Sequence, residues 1–128
     1  MIPARELRFS FVVDDYEAAL HLFRDVFGVE VLEEFDETGK GALMAVPEAT
    51  LELVDVEHGR MVDDIEVGRH VDERVRIAVK VDDLQAAGLA VTEAWGEAMA
   101  QPVITPWGDT NQRFRLQEGM QITLFEAP

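Results

Sequence analysis

The sequence predicts an α+β fold built from two similar modules, each a strand, a helix and three further strands. A repeat is the first observation: Arg8-Phe9-Ser10-Phe11-Val12-Val13-Asp14-Asp15 matches Arg76-Ile77-Ala78-Val79-Lys80-Val81-Asp82-Asp83 at an offset of 68 residues. In both copies the alternating apolar pattern of a strand ends at an Asp pair, and apolar residues then recur at helical spacing. This second observation indicates that one strand-to-helix unit occurs twice.

The composition fits one domain over residues 1–128 and excludes several classes of function. Hydrophobic residues make up 48% of the chain, enough for an ordinary globular core. The net charge of −15 repels phosphate backbones and anionic lipids, so we expect neither nucleic acid nor a membrane as a partner. Without cysteine the chain has no disulfide, thiolate metal site or Cys nucleophile, which suits a cytoplasmic protein.

The first module covers about residues 5–56. Its first strand runs from Leu7 to Val13, and the Asp14-Asp15 pair can cap the helix that follows. Apolar residues from Tyr16 to Phe27 share one helix face, and Gly28 stands where a helix ends. Alternation then predicts three strands, at Val29–Phe35, Gly41–Val46 and Thr50–Val56.

The second module covers about residues 75–127 and repeats this order. Its first strand lies at 75–81 and its helix at about Asp83–Ala94. Three strands are predicted to follow at Glu97–Ala100, Gln112–Gln117 and Gln121–Glu126. Between the modules, residues 57–74 form a polar connector, interpreted as a crossover loop with a short helical piece around 62–67.

The repeat and four local motifs carry a resemblance to a known superfamily. The motifs are Val13-Asp14-Asp15, Phe23-Arg24-Asp25-Val26-Phe27-Gly28, Leu51-Glu52-Leu53-Val54 and Thr105-Pro106-Trp107-Gly108. Over nearly its whole length the chain resembles the vicinal oxygen chelate superfamily of glyoxalase I, bleomycin resistance proteins and extradiol dioxygenases. The resemblance implies two βαβββ modules whose mixed sheets form a cup. It also implies a homodimer.

The resemblance further implies which residues stand at the superfamily's metal positions. The first and fourth strands of the two modules place Arg8, Glu52, Arg76 and Thr123 there. A guanidinium has no lone pair to donate, so Arg8 and Arg76 cannot bind a divalent metal. We therefore expect a cup without a metal or another cofactor.

Strand alternation predicts that basic residues gather on the concave face of the cup. Arginine and lysine are scarce in this chain, yet five of the eleven fall on the strand face opposite the apolar residues. The candidate ligand-binding residues are Arg8, Ser10, Glu52, Arg76, Lys80, Arg113, Arg115 and Thr123, together with Trp107 from a loop at the rim. Arg8 or Arg76 could bind a carboxylate through two parallel hydrogen bonds. Equally, Glu52 could bridge Arg8 and Arg76 in a purely structural triad.

Three functions remain open at this point. The first interpretation is a protein that binds a small anionic or carbonyl-containing organic molecule in a metal-free cup. The second is a lyase or isomerase acting on a hydroxy- or keto-acid, with Glu52 as general base. The third is sequestration of a cationic drug, which would require Asp or Glu residues from the connector to neutralise the cup.

Overall fold

The computed structural model describes residues 8–9, 11, 13–36, 38–50, 52, 55–117 and 119–128. The helices are α1 (Tyr16–Leu20), which continues as a π-helical segment (His21–Val26), α2 (Val56–Glu66) and α3 (Leu84–Ala94). The strands are β1 (Glu30–Phe35), β2 (Gly41–Ala45), β3 (Arg76–Lys80), β4 (Gly96–Ala98), β5 (Val103–Ile104), β6 (Thr110–Leu116) and β7 (Gln121–Glu126). None of the described helices is long and apolar enough to cross a bilayer.

The main sheet is mixed and is built by the second half of the chain. Its order is β3-β7-β6-β4, with β5 paired to β6. β3 runs parallel to β7, whereas β6 is antiparallel to β4, β5 and β7. In the first half, β1 and β2 form a separate antiparallel hairpin. The predicted α+β class is confirmed. In the second half, β3 and α3 are followed by four strands, since the short β5 joins the three that were predicted.

The hydrophobic core lies between one face of the main sheet and the helices α1 and α3. Both helices begin at a predicted capping residue: Asp15 accepts a hydrogen bond from the Ala18 amide, and Asp83 accepts one from the Ala86 amide, each at 3.0 Å. Their buried residues pack against apolar strand residues that all lie on one face. The core members are Ala19, Leu22, Leu84, Val91, Trp95, Phe114, Leu116, Ile122 and Leu124.

The first half differs from the prediction at two strands. Of the expected strand at Leu7–Val13, the described residues Arg8, Phe9, Phe11 and Val13 belong to no strand, while 7, 10 and 12 lie outside the described residues. Of the expected strand at 50–56, residues 50, 52 and 55 are not in a strand, and Val56 already begins α2. Residues 51, 53 and 54 lie outside the described residues.

The connector is largely helical, where a loop with a short helical piece was predicted. Helix α2 spans eleven residues and begins at Asp55, whose side chain accepts a hydrogen bond from the His58 amide at 2.8 Å. The helix ends before Gly68, which has a φ of 76° that favours glycine. Helix α2 covers the sheet face opposite the core, so it determines which residues of the predicted ligand-binding face are accessible and which it contacts itself.

Candidate ligand-binding face

The polar face of the main sheet carries several residues that the sequence singled out. Along β6 and β7, the core residues alternate with Arg113, Arg115, Gln121 and Thr123, whose side chains therefore extend from the opposite face. Arg76 lies on β3 and pairs with Gln121 on β7, so the two residues are neighbours in the sheet. We call this surface the polar sheet face.

Helix α2 closes over the polar sheet face through two carboxylates. One oxygen of Glu66 accepts hydrogen bonds from Arg113 Nε at 2.9 Å and from Thr123 Oγ1 at 2.7 Å, and the other accepts one from Asn111 Nδ2 at 3.0 Å. Asp63 accepts a hydrogen bond from Arg113 Nη1 at 2.9 Å. We call this network the Glu66 cluster; its members are Asp63, Glu66, Asn111, Arg113, Gln121 and Thr123.

Glu66 is held in its ionised form although it is buried. Only 2% of the residue is exposed, and the side chain of Arg113, its ion-pair partner, is 1% exposed. Burial alone would raise the pKa of the Glu66 carboxyl, but the hydrogen bonds from Thr123, Asn111 and Arg113 outweigh it, so the pKa is lowered. The cluster is therefore a charged, desolvated contact between α2 and the sheet.

Three buried polar atoms of the Glu66 cluster have no hydrogen-bond partner within the described structure. They are Arg113 Nη2, Gln121 Nε2 and Asn111 Oδ1. Gln121 uses its other amide atom, because Oε1 accepts a hydrogen bond from Arg113 Nη1 at 2.9 Å. Buried polar groups are nearly always paired. The carboxylates of α2 thus form hydrogen bonds with only some of the buried polar groups on this face of the sheet.

Arg76 is the half-buried cation at the edge of this cluster. Its Nη1 donates a hydrogen bond to Thr123 Oγ1 at 2.8 Å, and it forms no salt bridge with any described carboxylate. Burial lowers the pKa of the Arg76 guanidinium, and the nearby Glu66 charge offsets this only in part. Arg76 therefore keeps donors for a further acceptor.

The structure does not build the predicted bridge between Glu52 and Arg76. Glu52 is exposed and forms no hydrogen bond or salt bridge with the described residues. Its charge only modulates the pKa of Arg76 from a distance. Arg8 is exposed, and Ser10 lies outside the described residues. The carboxylate that neutralises this part of the sheet is Glu66, from the connector.

The other predicted ligand-binding residues lie around the cluster. Lys80 is exposed on β3, and Arg115 on β6 is partly exposed, with its Nη2 at 3.8 Å from Glu73 Oε1. Trp107 is half exposed in the turn before β6, a turn fixed by hydrogen bonds between Thr105 and Asp109. Arg113, in contrast, is committed to Asp63 and Glu66 and is covered by α2.

Comparison with known proteins identifies the family. The model of the Glyoxalase/Bleomycin resistance protein/Dioxygenase superfamily matches residues 7–124. The chain belongs to this superfamily. No relative was found among curated protein sequences.

Solved structures of the superfamily share the fold at low sequence identity. A superfamily member from Sphaerobacter thermophilus is 24% identical, with 90% of each chain covered and a TM-score of 0.53. A lactoylglutathione lyase from Agrobacterium tumefaciens is 19% identical, covering 98% of this chain and 95% of that one, with a TM-score of 0.56. A glyoxalase family protein from Bacillus cereus is 18% identical, covering 98% and 97%, with a TM-score of 0.63. These likenesses concern the fold alone.

The four residues that the sequence resemblance assigns to the superfamily's metal positions do not fit a divalent metal. Arg8 and Arg76 are cations without a lone pair, and the Thr123 hydroxyl already links Arg76 to Glu66. Only Glu52 has a ligand group suited to a divalent cation. The described residues also contain no group of three or more His, Asp or Glu side chains that could hold a metal.

Sequence reasoning missed the acidic half of the Glu66 cluster. Asp63 and Glu66 lie on the buried side of α2 together with Val62, at the spacing of a helix face. A search for apolar periodicity overlooks such a face, because carboxylates occupy positions where apolar residues are expected. The signal that could have revealed the helix is Asp55 as a capping residue, with Val62 and Glu66 one turn apart.

Proposed function

We propose that this protein binds a small anionic or carbonyl-containing organic molecule at the polar sheet face, without a metal, and that Arg76 is the principal contact. The observation that carries the proposal is that Arg76 is half buried, donates one hydrogen bond to Thr123, and has no salt bridge within the described chain. A partly desolvated cation without a direct counter-ion is stabilised when an anion binds.

The chemistry of arginine favours a carboxylate or a phosphate as the ligand group. A guanidinium presents its N–H groups in a planar fork that matches two oxygens of such a group. Thr123 fixes one nitrogen of this fork, so part of the ordering cost is already met before a ligand arrives. Lys80 and Arg115 on the same face add positive potential.

The test compares Arg76→Gln with Arg74→Gln. Arg74 is exposed and has no hydrogen bond or salt bridge with described residues, so it controls for the loss of one positive charge. Thermal unfolding of the full chain is followed with a panel of small carboxylates, keto acids and phosphates, since a ligand of the folded state raises the midpoint. We expect a stabilising anion for the wild type and for Arg74→Gln, bound about ten- to a hundredfold more weakly by Arg76→Gln.

Two results would contradict this proposal. Either no anion in the panel raises the unfolding midpoint of the wild type, or the stabilising anion binds Arg76→Gln as tightly as it binds Arg74→Gln. Isothermal titration calorimetry of the best anion separates weaker binding from a general loss of stability.

Sequestration of a cationic compound is the second candidate, and one observation favours it. Asp63 and Glu66 bring two carboxylates from the connector onto the sheet face, which reduces its positive charge. Asp63 is the more exposed of the two, with 15% of its side chain accessible. If a cationic drug stabilises the wild type and Asp63→Asn weakens its binding, the ligand is a cation. Glu52 has no described partner that would orient it as a general base, so the lyase reading has no comparable support.

We also propose that the protein is a cytoplasmic homodimer. Support for an interface comes from apolar side chains on and beside the β1–β2 hairpin: Leu32 is 63% exposed, Phe35 51% and Val46 60%. Large exposed apolar residues grouped on one element favour association. Light scattering coupled to size-exclusion chromatography tests the dimer, and Leu32→Glu together with Val46→Glu should dissociate it.

A further inference from the structure

We propose that α2 is a tethered competitor for the polar sheet face: the Glu66 carboxylate occupies the place of a ligand carboxylate, and a ligand larger than that side chain binds only after α2 has moved away. This inference rests on the proposed function. It adds the class of ligand and the release of α2 from the sheet that allows the ligand to bind. The class is a carboxylate whose remaining atoms do not fit beneath a docked α2.

The groups that bind the Glu66 carboxylate all belong to the sheet. Arg113 Nε, Thr123 Oγ1 and Asn111 Nδ2 extend from the paired strands β6 and β7 and converge on its two oxygens. Their backbone positions are set by the pairing of β6 with β7, in which α2 takes no part. A free carboxylate would therefore find the same donors when α2 is absent, with two of the three hydrogen bonds coming from uncharged side chains.

The docked helix leaves part of this donor set unused. Arg113 Nη2 and Gln121 Nε2 are buried donors without a partner in the described chain, and Asn111 Oδ1 is a buried acceptor in the same state. Arg113 is 1% exposed and Gln121 is fully buried, so the surrounding solvent does not satisfy them. A ligand with acceptor atoms beyond one carboxylate could satisfy groups that Glu66 leaves unpaired.

Apart from this cluster, α2 is weakly held by apolar contacts. Val62 is its only buried apolar residue, whereas Val56 and Met61 are 51% and 41% exposed. No α2 residue belongs to the hydrophobic core. A helix held mainly by two carboxylates is more easily released than one with an apolar face, because water and counter-ions solvate the carboxylates after release.

Arg76 connects the proposed ligand site with α2. The Thr123 hydroxyl accepts a hydrogen bond from Arg76 and donates one to Glu66. Only the Thr123 side chain therefore separates an anion bound by Arg76 from the Glu66 carboxylate of α2. Repulsion between the two negative charges would favour release of the helix.

The experiment uses Glu66→Ala in the full chain, with acetate and benzoate as probes. The substitution removes the same carbon and oxygen atoms that acetate contains, so acetate can refill the space under a docked α2, whereas benzoate cannot. Glu57→Ala is the matched control, since Glu57 lies on the same helix but is exposed. Thermal unfolding measures binding, and hydrogen–deuterium exchange measures the docking of α2 separately from β6 and β7, with chloride keeping the ionic strength equal.

We expect both carboxylates to raise the unfolding midpoint of Glu66→Ala in a saturable way. With acetate, the amides of α2 stay protected. With benzoate they exchange about tenfold faster or more, while β6 and β7 stay protected. Glu57→Ala should respond to each probe as the wild type does, without release of α2. If Glu66→Ala does not fold, Glu66→Gln keeps the side-chain shape, and benzoate is expected to release α2 there at higher concentration.

Three results would overturn the inference. Benzoate could have no effect while acetate stabilises the variant, which would make α2 a fixed part of the fold. Benzoate could bind while α2 stays protected, or neither probe could bind. These outcomes are distinct from failure of the proposed function, which would appear as no stabilising anion for the wild type, or as equal anion binding by Arg76→Gln and Arg74→Gln.

Discussion

Replacing Arg113 with methionine tests whether the buried charges between α2 and the sheet depend on one another. Arg113 forms hydrogen bonds of 2.9 Å with Glu66, with Asp63 and with Gln121. Methionine fills much of the space but supplies no donor. The Glu66 carboxylate, whose side chain is 1% exposed, then lacks its counter-charge in a desolvated place.

The expected loss is a large share of the stability of a domain of this size. Removing one partner of a buried ion pair costs about 3–5 kcal/mol, against a total of roughly 5–15 kcal/mol. For a chain of this length, the unfolding midpoint should fall by about 10–25 °C. Adding Glu66→Gln to Arg113→Met should recover part of the loss, because the unpaired charge is then gone.

Thermal and urea unfolding at pH 7 measure this effect, with Arg24→Met as the control. Arg24 also pairs with a carboxylate, Asp25, but both side chains are exposed, so no measurable change in the midpoint is expected. The reasoning is refuted if Arg113→Met is no less stable than Arg24→Met. It is also refuted if the double variant is less stable than Arg113→Met alone.

Three further predictions follow from the same structure. The pKa of Glu66 is lowered in the folded state. Its contribution to stability is therefore present above the unfolded carboxyl pKa of about 4.3, and it is lost as the pH falls through the lower folded value. Urea unfolding between pH 7 and 3 should show a steeper loss of stability for the wild type than for Glu66→Gln. Asp83→Ala removes the cap of α3 and should cost about 1 kcal/mol in denaturant unfolding, whereas Asp82→Ala should cost little. Gly88→Ala should destabilise the protein, although alanine favours a helix by about 1 kcal/mol over glycine. The reason is that the added methyl group would lie 3.0 Å from the Phe114 ring. An unchanged or higher midpoint of thermal unfolding would contradict this prediction.

The parts of the fold with apolar periodicity could be predicted from the sequence. The helices that begin at Asp15 and Asp83 lie where the pattern places them, and so do β6 and β7. The connector helix could not be located in this way, because Asp63 and Glu66 occupy its buried face. Its stability comes from contacts with the sheet, and local sequence carries no signal for those.

The candidate site was predictable in its sheet half only. Strand alternation assigns Arg76, Arg113 and Thr123 to one face, because the side-chain period of a strand is fixed. The partners of these residues lie far away in the chain: Glu66 contacts Asn111 across 45 positions and Thr123 across 57. Such pairings depend on the path of the connector, which is why the sequence predicts Glu52 as the central carboxylate where the structure has Glu66.

The parallel pairing of β3 with β7 makes the order of synthesis matter for this protein. Arg76 pairs with Gln121, which the ribosome adds 45 residues later, and β7 is also the strand that joins β3 to β6. Until β7 emerges, β3 has no strand partner among the described residues, and Thr123 is not yet there to meet Glu66 or Arg76. Completion of the core and of the polar sheet face therefore waits for β7, whose pairing with β3 is of high sequence separation. A nascent chain stalled before residue 121 exposes both, and should be a substrate for chaperones and proteases.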